Sequence, residues 1–214
     1  MVNTRPDISH AVGLLSRYMA CPTDKHWEAA RHVLRYLKGT STLGLRFTGG
    51  GAPVNPGVFA CEMYTDADFA ADVDRRRSTT GAVLIMNGAA VLWVSKLQSI
   101  VAPSTAEAEY IAAAVAAKDG LWVRKLLGEI YGQFSSLKLN VDNQSASVLI
   151  SEHNAGQSGR TKHIDVPFHL VRDRYERGDL SVAYVPTADQ RADIFTKQLA
   201  EPDFQKDRKF ILGT

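Results

Sequence analysis

The sequence predicts an α/β protein, a mixed five-stranded sheet with helices on both faces, preceded by a small helical segment. Three observations carry this. The N-terminal stretch keeps apolar residues at helical spacing, and two apolar runs further on are joined by Asn87-Gly88, a strong hairpin signal. Beyond that hairpin, helix-like and strand-like runs alternate, the order that produces β-α-β crossings. With 214 residues, 45% hydrophobic and 22% charged, the chain has material for one ordinary domain plus an appendage, and for a real core. No apolar run approaches the ~18 residues of a membrane span. Met1–Asp7 lacks the apolar stretch of a signal peptide, so an intracellular, cytoplasmic protein with no membrane partner is expected. Cys21 and Cys61 have no metal-ligand spacing and read as free thiols of a reducing compartment.

The elements follow in order. Pro6 stands at a first helical turn, with Ile8, Val12, Leu15 and Met19 at helical spacing until Cys21-Pro22. A second helix opens with Asp24 as its cap, carries Trp27, Ala30, Val33, Leu34 and Leu37 on one face, and stops at Gly39. A short strand over Leu43–Phe47 completes a first unit, residues 1–48. The glycine- and proline-rich stretch 49–57 reads as a linker, residues 58–200 as the main domain and 201–214 as a tail. Within the domain, Val58–Tyr64 is a strand ending in the loop that holds Asp66. Ala82–Met86 and Val91–Val94 form the hairpin. Thr105–Ala117 and Leu121–Tyr131 read as two helices, Leu137–Val141 as a buried strand and Ser145–Ile150 as a helix. Thr161–Arg177 is a helix that Pro167 kinks or starts late, Leu180–Val185 the last strand and Asp189–Leu199 the last helix. A meander followed by crossings gives a mixed sheet.

Four acidic segments run through these elements, around Asp66 and Asp68, Glu107 and Glu109, Asp142, and Asp193. Two stand at strand ends and two near helix starts, so they can converge on one edge of a sheet. Clustered carboxylates repel one another and persist when hard cations neutralise them. Mg²⁺ suits this, since it prefers carboxylate and water oxygens and bridges protein to phosphate. Each acid also has a plainer use. Asp66 can turn a loop on backbone amides, Asp142 can cap the helix beyond it, and Asp193 is favoured by the dipole of a helix start. Glu107 and Glu109 point about 200° apart on a helix, so only one can face a shared centre, and periodicity does not choose between them. A net charge of +2 does not announce a nucleic-acid partner; the runs Arg75-Arg76-Arg77 and Arg160-Thr161-Lys162-His163 say more.

The order of elements and acids resembles the ribonuclease H fold. The blocks Arg77-Ser78-Thr79-Thr80-Gly81, Trp93-Val94-Ser95-Lys96-Leu97-Gln98, Ser104-Thr105-Ala106-Glu107-Ala108-Glu109-Tyr110-Ile111-Ala112, Thr161-Lys162-His163-Ile164-Asp165 and Ala192-Asp193-Ile194-Phe195-Thr196-Lys197 look like signatures of copia-type LTR retrotransposon polyproteins. There they mark a C-terminal ribonuclease H domain. Thr4-Arg5-Pro6-Asp7-Ile8 and His32–Thr40 are similar to the thumb or connection region of reverse transcriptase in the same polyproteins. The chain has no Asp-Asp pair, which a polymerase palm would need, so no DNA synthesis is expected.

This resemblance implies a ribonuclease H that cleaves the RNA strand of RNA–DNA hybrids with two Mg²⁺ ions, Mn²⁺ substituting, and no small-molecule cofactor. Asp66, Glu109, Asp142 and Asp193 are the implied catalytic and metal-binding acids; the family pattern selects Glu109 over Glu107. Arg75, Arg76, Arg77 and Lys96 are expected to hold phosphates, and Ser104, Thr105 and Gln144 to meet the RNA 2′-hydroxyl. The upstream reverse transcriptase is a further expected partner. Many ribonucleases H carry a histidine before the last helix; Val185–Asp189 has none, and His163 keeps no assigned role. The rival expectation is a catalytically weak or repurposed hybrid-binding or structural piece of a retroelement.

Overall fold

The computed structural model describes residues 3–48, 61–72, 74–132, 135–151 and 165–214, with side chains of 165–169 left aside. The expected linker 49–57, Val58–Ala60 and His163 lie outside the described residues. A 3-10 turn at Pro6–Ile8 leads into α1 (Ser9–Ser16), followed by α2 (Asp24–Gly39). Thr23, not Asp24, is the N-cap of α2, paired with His26 in a reciprocal capping box; Asp24 occupies the first turn.

The sheet contains β1 (Glu62–Asp68), β2 (Thr79–Met86), β3 (Ala89–Leu97), β4 (Leu137–Val141) and β5 (Leu180–Tyr184), in the spatial order β3-β2-β1-β4-β5. The first three are antiparallel, and β1–β4 and β4–β5 are parallel. Asn87-Gly88 makes the expected β2–β3 turn, both residues having positive φ. The mixed five-stranded sheet is therefore as the sequence predicts.

Alternate side chains of the strands feed two cores. On one face Met63, Ala82, Leu84, Leu137, Leu139 and Leu180 pack with Tyr110, Ala113, Ala116 and Ala117 of α3 (Thr105–Tyr131), Ile150 of α4 (Gln144–Ser151) and Val171 of α5 (Asp165–Glu176). On the other, Val83 and Ala90 pack with Ile194, Phe195 and Ile211 and Leu212 of α6 (Glu201–Leu212).

Four further expectations change. α3 is one helix of 27 residues, not two, because Gly120 serves a close approach rather than a break. A Cβ there would come 2.6 Å from a Leu137 methyl and 3.1 Å from the Met63 methyl, so those side chains would have to move aside. Leu43–Phe47 is not a strand; Arg46 N donates to Leu212 O at 2.7 Å, joining the segment to the end of α6 rather than to the sheet. The expected helix 189–199 is instead two 3-10 turns, Thr187–Asp189 and Asp193–Phe195. The regular helix follows them, in the stretch read as a tail, where Pro202 fits its first turn and Gly213, at φ 74°, ends it. Finally, β1 runs on to Asp68, so Asp66 lies within the strand and not in a loop after it.

Candidate functional site

At one end of the sheet, β1 finishes, β2 starts and β3 finishes together, with Asp68 paired to Thr79 and Thr79 to Leu97. The C-terminal end of β4 lies on the same side, since β4 is parallel to β1. Asp66 of β1, Glu109 in the second turn of α3 and Asp142, the residue after β4, converge there. One carboxylate oxygen from each lies within 4.8 Å of the other two. Asp66 and Glu109 are buried, and Asp142 is half-buried.

The neighbouring groups explain how this is held. Ala67 N donates to Glu109 Oε1 at 3.2 Å, tying the helix to the strand beside Asp66. The Thr196 hydroxyl donates to Asp66 Oδ2. Asp193 opens the second 3-10 turn, so the long-helix dipole expected for it is absent; its Oδ2 lies 2.9 Å from Lys197 Nζ. Gln190 fixes the turn's approach, donating from Nε2 to Thr65 O at 2.8 Å. Behind Asp66, its β2 partner is Gly81, where a Cβ would come 2.5 Å from Thr196 Cγ2 and 2.8 Å from Ala192 O. Glycine there lets the Asp193 turn lie directly on the sheet.

Electrostatics mark the cluster as strained without a cation. Burial, then the charges of Asp66 and Asp142, push the Glu109 carboxyl up to about 9. Burial and Asp66 push Asp193 up to about 7 although Lys197 opposes the shift. Burial and Asp66 also raise Asp142 and Asp68. Burial disfavours charge on Lys197, but Asp66, Asp193 and Asp142 outweigh it and raise its pKa. Glu109 Oε2 and Asp193 Oδ1 are buried with no hydrogen-bond partner among the described residues. An all-oxygen donor set with orphaned buried carboxylate atoms fits a hard divalent cation of the Mg²⁺ or Mn²⁺ kind.

Glu107 lies elsewhere: it is half-buried in the first turn, its N–H donating to the Ser104 cap at 3.2 Å. Ser104 is thus engaged as the N-cap of α3, while Thr105 and Gln144 are exposed first residues of α3 and α4. Lys96 is exposed near the end of β3, opposite Thr80. Arg75 and Arg76 are exposed and Arg77 half-buried in a loop that Asp72 closes, its Oδ1 accepting from Arg75 N at 2.7 Å. These expected contact residues all belong to the acidic end of the sheet.

Sequence reasoning assigned no role to Thr196, Lys197 or Gln190. The Asp193/Lys197 spacing of four was a usable signal for an ion pair. Nothing in the sequence ties Thr196 to Asp66 or Gln190 to Thr65, since both contacts span more than 100 residues.

No protein-family model matches the chain. It is 41% identical over 211 residues to the retrovirus-related Pol polyprotein from transposon TNT 1-94 of Nicotiana tabacum, covering 99% of this chain and 15% of that protein. It is 38% identical to the Pol polyprotein from transposon RE2 of Arabidopsis thaliana, covering 94% and 13%. The chain thus spans about a seventh of the length of these relatives. A stretch of 123 residues is 46% identical to secreted RxLR effector protein 161 of Plasmopara viticola, 58% of this chain and 82% of that protein. The similarity to these two polyproteins extends over 94–99% of the chain. Among solved structures, the N-terminal RNase H domain of a Mycobacterium tuberculosis protein aligns at TM-score 0.49 and 10% identity, over 71% of this chain and 97% of that one.

Proposed function

We propose, from the premise that the chain belongs to the retrovirus-related Pol polyproteins of copia-type transposons, that it hydrolyses the RNA strand of RNA–DNA hybrids as a divalent-metal ribonuclease H. The observation that carries this reading is the meeting of Asp66, Glu109 and Asp142 within 4.8 Å, from three elements remote in sequence. Mg²⁺ or Mn²⁺ ions held by these acids with Asp193 would supply charge neutralisation at the scissile phosphate and a water acidic enough to attack it.

The chain's own residues supply the rest. Thr196 orients Asp66, and Lys197 keeps charge on Asp193 and adds a cation to the edge that meets phosphate. Arg75, Arg76, Arg77 and Lys96 hold phosphates of the hybrid and set its position without reading sequence. Thr105 and Gln144, exposed first residues of α3 and α4, would meet a 2′-hydroxyl, the group that separates RNA from DNA. Ser104 has less to offer there, since its oxygen already caps α3. The products are a 5′-phosphate and a 3′-hydroxyl on the RNA, and the upstream reverse transcriptase of the polyprotein is the natural supplier of the hybrid.

The test is cleavage of an end-labelled hybrid with Mg²⁺ or Mn²⁺, against chelator and both single strands. Metal-dependent cutting of the RNA strand alone is expected. Binding in chelator without cutting in either metal would instead mark a hybrid-binding remnant, and cutting of an all-DNA duplex another class of nuclease.

A further inference from the structure

α2 carries Trp27, Ala30, Val33, Leu34 and Leu37 on one face, the pattern of a helix that packs against a neighbour. That face is only partly covered, and none of the 16 residues of α2 is buried. Val33 and Leu37 are half-buried, whereas Trp27 is 65% and Leu34 61% exposed. An open apolar groove of about 820 Å³ runs between α1 and α2, with Val12, Leu15, Met19, Trp27 and Leu34 in its lining. The charges beside the groove have a polarity. Arg31 and Lys38 stand four residues after Trp27 and Leu34, about 40° further round the helix, and Asp24 precedes Arg31 by seven on the same line. Glu28 and Arg35 form the next line out, while Lys25 and His32 lie on the far side. This flank is therefore acidic in its first turns and basic beyond them. The helix dipole favours that order within any one helix. Here, however, none of these five side chains has an ion-pair partner among the described residues.

We propose that a second copy of this chain occupies the groove, α2 packing antiparallel on α2 about a two-fold axis near Ala30. Such an axis makes every contact twice and sets opposite each other residues whose numbers sum to about 60. Trp27 then meets Leu34 of the second copy, and Ala30 meets its own counterpart, where a small side chain lets the helices approach. Asp24 and Glu28 face Arg35 and Arg31 of the second copy. A slide of one turn keeps acids against bases, Asp24 then facing Lys38 and Glu28 facing Arg35. Parallel pairing would instead set Arg31 and Lys38 against themselves. A uniformly acidic partner would be repelled by Asp24 and Glu28, and a uniformly basic one by Arg31, Arg35 and Lys38. The polarity of the flank matches its own reverse, which is what a two-fold contact requires. A contact of two short helices with charges at its rim is small, so association is weak and depends on concentration. It uses no residue of the acidic site and does not depend on the nuclease reading.

The mass of the full-length chain, measured by sedimentation and light scattering from about 1 to about 200 µM, tests this. Wild type should pass from monomer to dimer over that range, and Leu34→Asp should stay monomeric. Arg31→Glu with Arg35→Glu makes the flank almost wholly acidic, and Asp24→Lys with Glu28→Lys makes it wholly basic. Each double variant should pair with itself about tenfold more weakly or worse, while an equimolar mixture of the two should form a heterodimer at least as tight as the wild-type dimer. Circular dichroism checks that each variant is folded, and should one double variant not fold, Leu34→Asp and the other double variant decide. A wild type that stays monomeric throughout, a dimer indifferent to Leu34→Asp, or charge variants that pair with themselves as well as wild type does would overturn the proposal. So would a monomer that captures a separately produced upstream reverse transcriptase segment through Leu34, which would give the groove to that polypeptide. Cleavage of hybrid, or its absence, bears on the nuclease reading alone.

Discussion

Asp7 and the acids of the sheet edge are buried to the same degree, 4% exposed for Asp7 and Asp66 and 7% for Glu109 and Asp193, but their surroundings are opposite. Asp7 accepts from Arg5 Nε at 3.0 Å, Arg5 Nη2 at 2.8 Å and the Tyr36 hydroxyl at 2.6 Å. Arg5 also donates to Thr40, at O and Oγ1. Every charge there has its partner within the chain. At the edge, among the described residues, at least four acids share one lysine, and two buried carboxylate oxygens have no hydrogen-bond partner. A buried charge must be neutralised by something. Asp7 shows that this chain can provide the counter-charge where the purpose is structural, so the unpaired edge points to a cation from outside.

The strongest way to break the comparison is to remove one acid from each group. Asp142→Asn should cut hybrid cleavage by a factor on the order of 1000, since it removes transition-state stabilisation worth several kcal/mol. It should leave the melting temperature unchanged or raise it, because one repelling charge is gone. Asp7→Ala should do the reverse. Stripping the partner from a largely buried guanidinium costs about 3–5 kcal/mol, or roughly 10 °C for a chain of this size. Loss of stability on Asp142→Asn as large as on Asp7→Ala, measured by thermal unfolding, would show that the edge acids are structural too.

The same contrast explains what was legible in the sequence. Strand periodicity and the Asn87-Gly88 turn located most of the sheet because they depend on neighbours in the chain. The Asp66, Glu109 and Asp142 cluster was legible because chemistry and family blocks marked the acids, even where the local structure around Asp66 and Asp193 was read differently. The last helix was misplaced because its local pattern, Asp189 to Leu199, is overridden by contacts from β1 and β2: Gln190 to Thr65, Thr196 to Asp66 and the space left by Gly81. Gly120 misled for the same reason, since its purpose lies in β1 and β4 rather than in α3. The Arg5–Asp7–Tyr36 network left no signal either, although it joins residues of the first turn to α2.

A pH series sharpens the comparison next. Burial and the neighbouring Asp66 charge push the Glu109 carboxyl up to about 9 and that of Asp193 up to about 7, well above the usual carboxylate range. A carboxyl raised on folding contributes stability that is whole below its unfolded pKa and is lost as pH rises toward the folded one. Without metal, the melting temperature should therefore fall by several degrees from about pH 5 to about pH 8. Saturating Mg²⁺ should abolish the fall, since it replaces the protons, and its affinity should rise over the same range. A metal-free protein whose melting point climbs with pH across that window would contradict the unpaired state of the edge.

The smallest change tests the geometry rather than the charges. Gly81→Ala adds one methyl between β2 and the Asp193 turn, where a Cβ comes 2.5 Å from Thr196 Cγ2, 2.8 Å from Ala192 O and 3.0 Å from Phe195 Cβ. Two of these neighbours are backbone or Cβ atoms, so the turn must move as a unit, at a cost of about 1–3 kcal/mol. Movement pulls the Thr196 hydroxyl from Asp66 and Asp193 from its neighbours. Mg²⁺ affinity should consequently fall more than for a core variant of equal stability, such as Leu139→Ala screened in mild denaturant to match. Equal affinity in the two variants would mean that the turn does not position the acids, and that Asp66, Glu109 and Asp142 suffice to hold the ion.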